Sequence, residues 1–194
     1  GPRSYEEATV WLSYNGEGYN HLALRRELEH AGHQFRSRTD TEVLVHLYEE
    51  LGADLVHRLR GIFAFALWDQ RRRRVILARD HLGVKPLYYA EGGGQLVWAS
   101  EIKAILAHPA ICADLDEGAL GHYLTFAAVP APATLFAGIR KLAPGHRLVV
   151  EAGERPRVER WWTPVGHALP PGRDGGDDAA VAEYVLRLLS AAIT

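Results

Sequence analysis

The tightest constraint on this chain lies at its centre, where two β-rich runs face each other across a four-residue polar turn. They are Ile62–Asp69 (IFAFALWD) and Arg74–Asp80 (RVILARD). Runs of this kind on either side of a short turn predict an antiparallel hairpin. Pro86–Ala90 and Gln95–Ser100 repeat the arrangement around Glu91-Gly92-Gly93-Gly94, and HRLVV (146–150) with RVERWW (157–162) forms a last pair. The segment before these strands reads as helical. Asn20 is placed to cap a helix with Leu24, Leu28 and Ala31 on one face and Gly32 as its stop. The HQFRSR segment returns as an extended stretch. Asp40 is then placed to cap a second helix that turns Val43, Leu44, Leu47, Tyr48 and Leu51 inward and stops at Gly52. Helices first and antiparallel strands afterwards predict a layered α+β architecture, not alternating βαβ units.

Composition sets outer limits. The chain has 194 residues, of which 47% are hydrophobic, enough to bury the core of one ordinary domain. A net charge of −2 provides no electrostatic basis for nucleic acid or an anionic membrane as partner. No apolar run approaches a bilayer span, and the lone Cys112 rules out an internal disulfide framework. These features lead to the expectation of a cytoplasmic protein. The ten histidines show no ligand spacing, so no metal site is expected. Arg71–Arg74 reads as a solvated hairpin tip. Residues 164–178 are rich in Gly and Pro and read as a linker into a final amphipathic helix, 179–193.

One stretch stands apart. Tyr14–Asn20, YNGEGYN, follows a short strand at Val10–Ser13 and reads as a polar turn. Taken alone, Glu17 is a turn residue and Asp40 a helix cap. Seven blocks then occur in order with short gaps: YNGEGYN, RSRTDTEVLVHLY, GIFAFALWD, LARDHLGVKPLYY, WASEIKAIL, YLTFAAVPAPATLFAGIRKLAPGHRL and RWW. Together they resemble the glutaminase domain of the bacterial glutamine-dependent asparagine synthetases, a class II glutamine amidotransferase domain of the N-terminal nucleophile hydrolase fold.

The resemblance implies a four-layer αββα sandwich over residues 1–163, lacking its first strands. It further implies that residues 164–194 lead into an ATP-dependent synthetase domain beyond Thr194. The substrate would be glutamine. Asn15, through its side-chain amide, and Gly16, through its backbone N–H, would form the oxyanion hole. Glu17 and Asp40 would hold the substrate's α-amino group. The nucleophilic cysteine would lie upstream of Gly1, which leaves these residues inactive alone. Cys112 sits internally and is not that nucleophile. No cofactor is implied for this domain, while ATP and Mg would serve the synthetase domain. That domain is the implied partner, and a homodimer is compatible with the resemblance. A related expectation is an amidotransferase-like domain that only supports a synthetase of the β-lactam synthetase or lasso-peptide cyclase type. The RDHLGVKP block reads mainly as architecture, with Lys85 as a candidate contact to a neighbouring domain.

Overall fold

The central hairpin forms and becomes the middle of a larger sheet. The computed structural model describes residues 3–5, 9–164 and 178–193. In chain order the elements are β1 (Arg3–Tyr5), β2 (Val10–Gly18), α1 (His21–His30), α2 (Asp40–Leu51), a 3-10 turn (Gly52–Arg58), β3 (Gly61–Asp69) and β4 (Arg74–Arg79). There follow β5 (Tyr88–Gly92), β6 (Gln95–Ala99), α3 (Ile102–Leu106), α4 (Glu117–Phe126), β7 (Ile139–Lys141), β8 (His146–Glu151), β9 (Arg157–Arg160) and α5 (Asp178–Ile193). One sheet has the order β1-β2-β3-β4-β8-β9 and the other β6-β5-β7, with every pairing antiparallel. The chain divides into two units, 1–162 and 163–194, and α5 belongs to the second.

Side-chain alternation along β3 explains the layering. Phe63, Phe65 and Leu67 point to one face, where they meet Leu24 and Leu28 of α1 and Val43, Leu44, Leu47 and Tyr48 of α2. Ala64 and Ala66 point to the other face, where they meet Leu87, Tyr89 and Leu142 against the second sheet. Beyond that sheet, Ile105 of α3 packs with Ala90 and Ile139. The order of layers is therefore helix, sheet, sheet, helix, the αββα sandwich. Each fully buried phenylalanine of β3 contributes about 1.5–3 kcal/mol through burial.

The loop between β4 and β5 ties the two sheets together. Asp80 is buried, and its carboxylate accepts four backbone N–H bonds: from Leu82 and Val84 at 3.0 Å each, from Lys85 at 3.1 Å and from Phe63 at 3.2 Å. Beside it, the Arg79 guanidinium donates to the carbonyls of Lys85, Gly83 and Leu142 at 2.6–2.7 Å. Burial pulls the Arg79 pKa below the ordinary arginine value. The RDHLGVKP block is thus architectural, as its sequence indicated.

Several local expectations change. Asn20 and Asp40 do not cap their helices through their side chains. Asn20 instead bridges to the 3-10 turn: its Nδ2 donates to the Arg58 carbonyl and its Oδ1 accepts from the Arg60 N–H, both at 2.9 Å. Tertiary partners outcompete the local cap. The segment between Gly32 and Thr39 is a loop without a strand, and Ala31 and Leu51 are exposed. Ile139–Lys141, too short to show a period of its own, pairs with β5 as a third strand. At the hairpin tip, Arg72 pairs with Asp69 at 3.4 Å and Arg74 with Glu151 at 2.8 Å, so the basic run is partly neutralised. Cys112 is an exposed free thiol. Most of the expected linker falls outside the described residues. No helix among the described residues is long and apolar enough to cross a membrane.

Replacing Asp80 by Ala should leave four backbone donors without their acceptor. We expect a loss of about 3–5 kcal/mol in urea unfolding, against less than about 0.5 kcal/mol for Arg155→Ala on the exposed surface. A loss under about 1 kcal/mol at Asp80 would show that the loop is held by other contacts.

Candidate active site

Tyr14–Gly18 is strand, not turn. It continues β2 in register with β3, pairing Asn15 with Ala64, Gly16 with Phe63, Glu17 with Ile62 and Gly18 with Gly61; only Tyr19 and Asn20 turn. The polar, glycine-rich composition that suggested a turn has another cause. A Cβ on Gly16 would lie 2.2 Å from the Ile62 carbonyl oxygen, and one on Gly61 would lie 2.1 Å from the Glu17 oxygen. These glycines permit the two backbones to close on each other. Gly16 does not need a positive φ, whereas Gly61 has φ +149°. In the sequence Gly61 marks only the boundary between a short helix and a strand, and its close approach to Glu17 is not legible there.

Strand geometry then sorts the site residues. Leu12 and Tyr14 face the helices, whereas Asn15 and Glu17 lie on the opposite face and are exposed. Asn15 lines a cavity of about 120 Å³ at the rim of the second sheet, with Ser13, Ala66, Leu87, Trp98 and Ser100. The alanines of β3 leave this space open. Trp98 and Ser100, in the WASE block, were not singled out from sequence because nothing local links them to Asn15.

The backbone direction follows from one hydrogen bond. Gly18 donates its N–H to Asp40 Oδ2 at 3.0 Å, while Tyr19 donates to the Arg60 carbonyl on the β3 side at 2.8 Å. Successive N–H groups alternate between the two edges of a strand. The Gly16 N–H therefore points the same way as that of Gly18, away from β3. On that outer edge β1 pairs only as far as Leu12, and among the described residues no strand pairs beyond it. An outward N–H and the Asn15 amide thus share one open stretch of edge.

Asp40, first residue of α2, is brought to the end of the same strand by its bond to Gly18. Glu17 precedes Gly18, and both carboxylates act on the Tyr14 hydroxyl. Burial first, then the negative charge of Asp40, raises the Tyr14 pKa well above that of an ordinary tyrosine. The loop before Asp40 is fixed by buried Glu42, whose carboxylate accepts the N–H groups of Arg36 and Ser37 at 2.6 Å each and the Ser37 hydroxyl. Burial alone would raise the Glu42 pKa, but these donors outweigh it and hold the carboxyl below the ordinary value.

Residues 1–162 match the family described as glutamine amidotransferase domain. The chain belongs to that family. The amidotransferase domain is 44% identical over 160 residues to asparagine synthetase [glutamine-hydrolyzing] 3 of Bacillus subtilis, covering 82% of this chain and 26% of the relative. It is 49% identical over 105 residues to the protein named asparagine synthetase [glutamine-hydrolyzing] 3 of Arabidopsis thaliana, covering 54% of this chain and 18% of the relative. The chain spans about a quarter of the length of the curated relatives it matches. Among solved structures, glutamine phosphoribosylpyrophosphate amidotransferase of B. subtilis aligns with TM-score 0.55 at 24% identity, covering 83% of this chain and 31% of that one. That likeness bears on the fold alone, and it agrees with the N-terminal nucleophile hydrolase sandwich.

Two predictions follow from the close strand approach and the buried carboxylate. Gly16→Ala should force β2 from β3 and cost about 3 kcal/mol, whereas Gly18→Ala should cost under about 1 kcal/mol, because its nearest neighbour would be Asp40 Cβ at an ordinary 3.5 Å. Urea unfolding of both variants decides; equal losses would contradict the geometry. The Glu42 pKa is depressed in the fold, so its contribution is fully present above the unfolded value of about 4.3 and is lost as pH falls through the lower folded value. The stability gap between wild type and Glu42→Gln should therefore be widest at neutral pH and close below that range. A gap that grew with acid would reverse the sign.

Proposed function

We propose that this domain releases ammonia from glutamine, and that the longer protein containing it uses the ammonia in ATP-dependent amidation of aspartate. The open edge of β2 carries the reading. Asn15 offers a side-chain amide and Gly16 an outward backbone N–H on one rigid strand. Two donors held in place suit an oxyanion, because they stabilise charge that develops only in the transition state. Glu17 and Asp40, at the end of that strand, are the acceptors an α-ammonium requires. The attacking thiol is assigned to a cysteine at the mature N-terminus of the longer protein, with its own α-amine as base. That amine, with a pKa near about 7.7–8.0, takes the thiol proton at neutral pH. Attack on the side-chain amide carbon then puts the oxyanion between Asn15 and Gly16. Collapse breaks the C–N bond as the α-ammonium returns its proton to the departing ammonia, and water then hydrolyses the thioester to glutamate. The names of the relatives support both the glutamine substrate and the synthetase partner.

The test is a steady-state assay of the longer protein with glutamine and, separately, with free ammonia. Asn15→Ala should lower glutamine-dependent turnover by about a hundred- to a thousandfold, equivalent to about 2.7–4 kcal/mol, and leave the ammonia-dependent rate near wild type. Asp40→Asn should chiefly raise KM for glutamine, since the ammonium contact serves ground and transition states alike. If Asn15→Ala abolished both activities together, the residue would be holding up the fold and not the oxyanion.

A further inference from the structure

We propose that His33, His46 and Glu49 form a binding site for a single divalent ion of the zinc class. His46 lies thirteen positions after His33, which is why their spacing carries no motif. The fold brings the loop after α1 onto α2, where His46 and Glu49 lie one turn apart. His33 Nδ1 and His46 Nδ1 are 3.0 Å apart, His46 Nδ1 and Glu49 Oε2 are 2.9 Å apart, and His33 Nδ1 and Glu49 Oε2 are 3.6 Å apart. These separations place the three atoms on a circle of radius about 1.9 Å. A point about 2.0–2.1 Å from all three, the ordinary zinc–ligand distance, then lies within about 1 Å of their plane. These separations admit the ion without moving a ligand atom. Two imidazoles and a carboxylate are a donor set for zinc and its late first-row neighbours.

The charges around the two histidines suit such an ion. If His46 carried its proton on Nδ1, to bond Glu49, its Nε2 lone pair would be left buried without a partner. That lone pair would also sit 3.9 Å from the Glu42 carboxylate. With an ion on Nδ1, the proton sits on Nε2 and faces that carboxylate across 3.9 Å, a charge contact beyond hydrogen-bond reach. His33 Nε2 already meets Glu50 Oε1 at 2.8 Å. His33 thus has a hydrogen-bonded carboxylate behind it, the arrangement that orients metal-bound imidazoles, while Glu42 offers His46 charge attraction without a direct hydrogen bond. On the open side, His33 and Glu49 line a cavity of about 540 Å³, which gives a path of entry and room for a water as fourth ligand. The ion would clamp the loop that precedes Asp40.

The chain, stripped by a chelator, is titrated with Zn²⁺ alone and with Co²⁺ alone. One ion per chain should bind, with the strong visible absorption of tetrahedral cobalt. His33→Gln and Glu49→Gln, both on partly exposed side chains, should each weaken uptake by about tenfold or more, and Glu50→Gln by about tenfold. Cys112→Ser should leave uptake unchanged. Uptake that is absent, or that survives either ligand variant at full strength, overturns the site.

Discussion

The alternation of large and small side chains along β3 is the constraint on which the rest of the molecule depends. Phenylalanine and leucine on one face require a helical layer to bury them, and α1 and α2 supply it. Alanine on the other face lets a second sheet come close, and the same small side chains leave the cavity beside Asn15. One strand therefore sets both inter-layer spacings and the room for the site. Enlarging Ala64 or Ala66 would fill that space from behind.

Rigidity at the site comes from backbone contacts more than from side-chain packing. Gly16 and Gly61 let β2 and β3 approach to a distance that a Cβ at either position would block. Asn20 then pins the end of β2 to Arg58 and Arg60, and Asp40 holds Gly18 from the other side. Farther along the chain, Asp80 and Arg79 satisfy seven backbone groups in the crossing between sheets. The oxyanion hole proposed for Asn15 and Gly16 would benefit from such a frame, since fixed donors need no reorganisation as charge develops.

Much of this was legible in the sequence. The hairpins, the α+β class and the helix spans follow from periodicity and turn residues, because those signals act between near neighbours. Asp40 and Glu17 could be singled out as residues, but their local roles could not be read correctly. Asp40 seemed a cap, yet its carboxylate accepts from Gly18, 22 residues away. YNGEGYN seemed a turn, yet most of it is strand, since glycine there answers to a neighbouring backbone that local composition does not reveal. The histidines show the same limit: a loop and a helix must pack before His33 and His46 can meet.

By itself the sequence determined the order of elements, which strands pair in hairpins and the family to which the domain belongs. Those are consequences of local periodicity and of residue blocks in register. Tertiary structure alone decided which edge of β2 stays open, which way the Gly16 N–H points and which carboxylates gather at the strand's end. The physical reason is that a strand's two edges and two faces become different only when neighbours cover some of them. Here β3 takes one edge, β1 covers the other only as far as Leu12 among the described residues, and the helices take one face, leaving Asn15 and Glu17 on the face that remains.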